Sequence, residues 1–102
     1  MARHTEAMQR VAEAILETPG DADTQLRAHV EAYAAGRSSP ELPEELRPYV
    51  EKVARNAYKV VDADIDRLRE AGYSEDAIFE LTLAAALGAA RTRLDAGLEA
   101  MR

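Results

Sequence analysis

The chain contains no cysteine and no tryptophan, and its aromatic residues are one phenylalanine and four tyrosines. The lack of cysteine excludes disulfides, thiolate metal sites and every reaction that needs a thiolate nucleophile. The shortage of aromatics leaves the core to Ala, Leu, Val and Ile. Such small side chains let helices approach closely, but each helix then buries modest area, and association of subunits is a common remedy. A basic half or tail is also missing. Before Pro43 four Lys and Arg face seven Asp and Glu, and from there on nine face twelve, for a net charge of −6. Without clustered cations to displace counterions from phosphates, neither nucleic acid nor an anionic membrane is an expected partner. No apolar run approaches the roughly 18 residues of a membrane-spanning helix, and Met1-Ala2-Arg3-His4-Thr5-Glu6 carries no signal-peptide core, so cytoplasm is the expected compartment.

What the chain does have is helical periodicity. At 102 residues it fits one domain, and 47% hydrophobic with 31% charged residues suits a folded protein. Five helices are predicted, with no strand pattern, in an all-α domain covering residues 1–102. Residues 1–36 form an N-terminal helix pair, residues 37–43 a connecting loop and residues 44–102 the core helices. The first helix runs from about Thr5, a cap, to Glu17, with Met8, Val11, Ala12 and Ile15 at helical spacing. Thr18-Pro19-Gly20-Asp21 breaks it. The second spans about Ala22 to Ala35, with Leu26, Val30 and Tyr33 on one face and Gly36 as its C-terminal cap.

The third helix begins near Pro43, with Leu46, Val50, Val53 and Ala57 along one side, joined by Tyr49 and Ala54; Pro48 invites a kink. The fourth runs from about Asp62 to Ala71, with Val61, Ile65 and Leu68 inward. Gly72 suits a left-handed cap, and Ser74 caps a fifth helix whose positive end carries Glu75 and Asp76. That helix is predicted to continue toward the C-terminus with two apolar stripes. One is Ile78, Leu81 and Ala85; the other is Phe79, Leu83, Leu87, Ala90, Leu94, Leu98 and Met101. From Ala77 to Ala90 almost nothing is polar, more than a single small bundle needs to cover, so this long helix is expected in an oligomer interface.

Leu42-Pro43-Glu44-Glu45-Leu46, the amphipathic helix after it, and the run Arg67-Leu68-Arg69-Glu70-Ala71-Gly72-Tyr73-Ser74-Glu75-Asp76-Ala77-Ile78-Phe79 carry a family likeness. From Leu42 to Ala90, about half the chain, it resembles the alkylhydroperoxidase AhpD / carboxymuconolactone decarboxylase superfamily. The resemblance implies an AhpD-like helical bundle that assembles as a trimer or hexamer. In the peroxidase branch a CxxC pair opens the central helix, a His follows four residues later, and a Glu lies about three helical turns upstream. Counting back from Gly72, the cysteine positions fall on Ala57 and Val60, the His position on Asp64 and the upstream Glu on Glu45. Lys59 falls between the cysteine positions. Peroxidase chemistry is therefore excluded, and a redox-inactive scaffold or small-molecule binder is the expected function.

The trio Glu45, Lys59 and Asp64 leaves two readings open. In the first, resembling the decarboxylase-type members, a buried Glu45 with a raised pKa is the base and Lys59 the anchor for a small organic acid or lactone, without a cofactor. In the second, Lys59 and Asp64 form an ordinary solvated pair worth about 0–1 kcal/mol. Tyr49, Tyr58 and Tyr73 are candidates to line a ligand pocket near the joint at residues 56–64, or else helix-end packing residues. No metal site is expected, because His4 and His29 have neither a Glu three residues before them nor a His four residues away. Ile65 to Leu83 has a helix-turn-helix outline, but Glu75, Asp76 and Glu80 would face phosphates with like charge.

Overall fold

The computed structural model describes residues 2–37 and 42–102, with side chains from Thr5 onward. Residues 38–41 of the expected connecting loop, and the side chain of His4, lie outside that description. The described residues form five α-helices: α1 (Ala2–Glu17), α2 (Thr24–Ala34), α3 (Arg47–Asn56), α4 (Asp62–Glu70) and α5 (Glu75–Ala100). No strand occurs among them, so the all-α class stands. No described helix is long and apolar enough to cross a membrane.

The boundaries follow local chemistry. The Ser74 hydroxyl accepts the Ala77 N–H at 3.0 Å and opens α5, while Gly72 reverses the chain after α4 at φ 105°. The third helix starts as a single 3₁₀ turn, Glu44–Leu46, and becomes α-helical at Arg47. Pro48 is thus the second residue of α3, where its missing N–H leaves no helical bond unmade, and it marks a start where the sequence allowed a kink.

Leu46, Val50, Leu68, Leu81 and Val30 are the largest fully buried side chains, and Ala84 and Ala85 fill the space between helices. The expected inward face of α4 needs one correction: Val61, the residue before that helix, is 56% exposed, while Leu68 is buried in the core and the half-buried Ile65 packs against it. The second stripe expected on α5 also divides. Leu87 is buried, whereas Phe79 is 64% and Met101 77% exposed, and Ala86, Ala90 and Gly97 lie open beside them.

α5 is the element around which the others pack. At its crossing with α2, a Cβ on Gly88 would drive into the backbone carbonyl oxygen of Glu31 and stand 3.1 Å from Ala34 Cβ and Ala35 N. Polar groups of α5 also complete the earlier helices. Glu80 accepts the N–H groups of Asp21 and Ala22 at 3.1 and 2.7 Å, Thr92 donates to Ala35 O at 2.9 Å, and Arg93 donates to Ala54 O at 2.8 Å.

Two buried charges sit in the N-terminal pair. Arg27 donates to the carbonyls of Ala22, Ile15 and Thr18 at 3.1, 2.8 and 2.5 Å, tying the end of α1 to the start of α2. Glu31 is paired with Arg37 and lies 3.7 Å from Arg91.

Candidate functional site

The joint at residues 56–64 is not a continuous helix. Ala57–Lys59 form a 3₁₀ turn, Val60 and Val61 are extended, and α4 opens at Asp62. The two positions matched to cysteines, Ala57 and Val60, therefore precede α4. Asp64 lies one turn inside it, and its carboxylate folds back to accept the Val61 N–H at 2.9 Å. That bond satisfies one of the free N–H groups at a helix start and places negative charge at the positive end of the dipole.

Asp64 is buried, and the cation that neutralises it is Lys52 of α3, which donates to both carboxylate oxygens at 2.9 and 3.0 Å. Arg67 adds a looser ion pair at 3.6 Å and remains 75% exposed. The Val61 N–H, then the Lys52 ammonium, hold the Asp64 carboxyl below the usual carboxylate range, against the effect of its own burial. This pair pins α4 to α3.

Beside it lies a depression of about 340 Å³ lined by Glu45, Pro48, Tyr49, Lys52, Asp64, Arg67 and Leu68. Pro48, Tyr49 and Leu68 supply an apolar wall, and four charges of balanced sign ring it. Glu45 and Asp64 are thus brought together, but Lys59 is absent from the lining. It is exposed on the 3₁₀ turn, with its ammonium 5.8 Å from the centre of the Tyr58 ring. Lys52 occupies the place for which Lys59 was a candidate. The sequence signal for it was the i, i+3/i+4, i+7 row Glu45, Pro48, Tyr49, Lys52, which shares one helical face.

The three candidate tyrosines separate. Tyr49 is buried along the depression, and because Thr82 donates its one hydroxyl proton to Ile78 O at 2.7 Å, the 2.6 Å bond between Tyr49 and Thr82 has the tyrosine as donor. Tyr58 is 82% exposed. Tyr73 is half-buried and donates to Glu45 at 2.8 Å; it lines a second, acidic depression of about 330 Å³ that also includes Asp21, Asp23 and Ser74.

The acid–base reading asked for a buried Glu45 with a raised pKa. Glu45 is exposed, and its own backbone N–H, helped by the Tyr73 hydroxyl, holds its carboxyl below the usual value. A lowered pKa weakens a base. Tyr73 moves the other way: burial, then the hydrogen bond to Glu45 and the charge on that carboxylate, push its hydroxyl up to about 12. The folded pKa exceeds the unfolded one, so this group's contribution to stability is complete below the unfolded value of about 10 and is lost as pH rises through about 12. An ultraviolet titration of the folded protein is expected to show one tyrosine ionising near pH 12. Tyr73→Phe removes that last step; its persistence in the variant would show that another tyrosine is responsible.

Among the described residues, no group of three or more His, Asp or Glu side chains is arranged to hold a metal ion. Compared with known proteins, the chain matches no family model, no curated protein and no solved structure.

Proposed function

We propose that this chain is a redox-inactive, AhpD-like protein that binds a small organic acid between α3 and α4 and self-associates through α5. The observation that carries the binding reading is Arg67, exposed at the rim of an apolar-walled depression whose buried acid is already neutralised by Lys52. A guanidinium has five donors in a planar fork, and this one makes only the loose contact with Asp64, so it is free to take a carboxylate. Pro48, Tyr49 and Leu68 would cover the ligand's apolar body, and the volume lies at the small end of the range of ligand sites, about 300–1,000 Å³.

The self-association reading rests on the open apolar residues of α5, and the resemblance implies a trimer or hexamer. Cofactor-free catalysis has less support, since Glu45 is a weakened base and Lys59 stands outside the depression. A thermal-shift screen of small mono- and dicarboxylic acids tests the binding reading. A ligand at 100 times its dissociation constant adds about 2.7 kcal/mol of stability. Arg67→Ala is expected to weaken that binding about tenfold, the loss of one charge-assisted contact. If no acid stabilises the protein, or if Arg67→Ala binds as well as the parent, the reading fails.

A further inference from the structure

The geometry points to a specific mode of self-recognition: a second copy of this chain docks on α5 in antiparallel orientation, about a two-fold axis passing through Ala90. This deepens the self-association proposed above and rests on it.

Phe79, Leu83, Ala86, Ala90, Leu94, Gly97 and Met101 follow one another at spacings of 4, 3, 4, 4, 3 and 4 residues. At 3.6 residues per turn they form one line along the helix, on the side opposite Gly88 and its contact with α2. Leu83 and Leu94 are half-buried and the other five are exposed. The line carries no charge over a rise of about 33 Å. A 4-3-4 spacing is an eleven-residue repeat of about 3.67 residues per turn, close to the natural period, so the line stays nearly straight. Two such helices can lie in contact along their length without strong supercoiling.

The orientation follows from the residues. The spacing reads the same in both directions from Ala90, so an antiparallel partner in this register meets every position of the line. Phe79 then faces Met101, Leu83 faces Gly97, Ala86 faces Leu94 and Ala90 faces its own copy. Large side chains meet small ones at two of these levels, a flexible thioether meets the aromatic ring at the ends, and two alanines allow close approach at the centre. A parallel pair would instead stack Phe79 on Phe79 and leave a gap at Gly97. Charge agrees with the antiparallel choice at the two ends: Glu80, Arg91 and Arg93 are engaged within their own subunit, but in this register Arg102 comes level with Ile78 of the second copy, close to its exposed Glu75 and Asp76. Antiparallel docking also opposes the helix dipoles favourably.

A two-fold contact of this kind is closed on itself. It yields a dimer, or a hexamer in which such dimers are joined through another surface, but not a trimer by itself.

The chain has no thiol, so an introduced cysteine is unique. Light scattering of the parent at high micromolar concentration is expected to show a dimer or a multiple of one. Under mild oxidation Ala90→Cys should cross-link to a covalent dimer nearly completely, because only there does a residue meet its own copy at disulfide distance. Ala86→Cys, opposite Leu94, should remain uncross-linked. Ala90→Glu, which places two like charges on the axis, should weaken the dimer at least about tenfold while circular dichroism shows the helices intact. A monomeric parent overturns the self-association reading itself. A dimer in which both cysteines cross-link is parallel, and one in which neither does uses another face; either result overturns this register while leaving self-association standing.

Discussion

Gly88→Ala is expected to destabilise the fold by about 3 kcal/mol, measured as a lowered urea midpoint at unchanged slope. The sign is what makes the experiment informative. In an ordinary helix interior, alanine is better than glycine by about 1 kcal/mol, so propensity alone forecasts a gain. Here the added methyl meets the backbone carbonyl oxygen of Glu31, with Ala34 Cβ and Ala35 N close behind. Backbone cannot rotate out of the way as a side chain can, so α2 and α5 must separate along their shared interface. That separation strips contacts from Val30, Ala84 and Ala85, all fully buried. A neutral or stabilising outcome would mean that the two helices do not approach this closely.

Arg27→Ala is expected to lower stability by a comparable amount, about 3 kcal/mol. The side chain is only 2% exposed, and its guanidinium supplies three separate carbonyls along the connection from α1 to α2. Truncation leaves these acceptors without their partner, at about 1–3 kcal/mol for each that water cannot reach. Ile15 O and Thr18 O lie at the negative end of α1, where a cation is also favoured by the dipole. Arg27→Lys should recover less than half of the loss, because a single ammonium cannot span the same fork. Full recovery with lysine would show that charge alone matters there.

The sequence made the helices legible where their ends are fixed by neighbours along the chain. Gly72 and Ser74 bound α4 and α5 through contacts within three or four residues, so their roles could be read without a partner. The site was legible only in part. Glu45 and Asp64 line one depression, but the cation paired with Asp64 is Lys52, twelve residues earlier on α3, whose role depends on how the joint sets the start of α4 against α3. Counting along the chain reached Lys59 instead, which is nearer to Asp64 in sequence and points elsewhere in space.

A similar limit applies to α5 and to Arg27. From Ala77 to Ala90 α5 offers almost no polar side from which to judge its orientation, so the sequence groups Leu87 with residues that prove to be open. Only the packing of α2 and α3 shows that Ala86 and Gly97 belong to the exposed line in its place. Arg27 was silent because its partners are backbone carbonyls, which have no residue identity to read.

The dependence of the earlier helices on Glu80, Thr92 and Arg93 has a consequence for synthesis on the ribosome. The connection between α1 and α2, and the last carbonyls of α2 and α3, find these partners only 39 to 59 residues further along the chain. These earlier residues are therefore synthesised before the element they pack against. Nascent α1 to α4 would emerge with their apolar faces unburied and close into a fold only when α5 arrives. Acquisition of structure is thus delayed until α5 has been made and is then concerted.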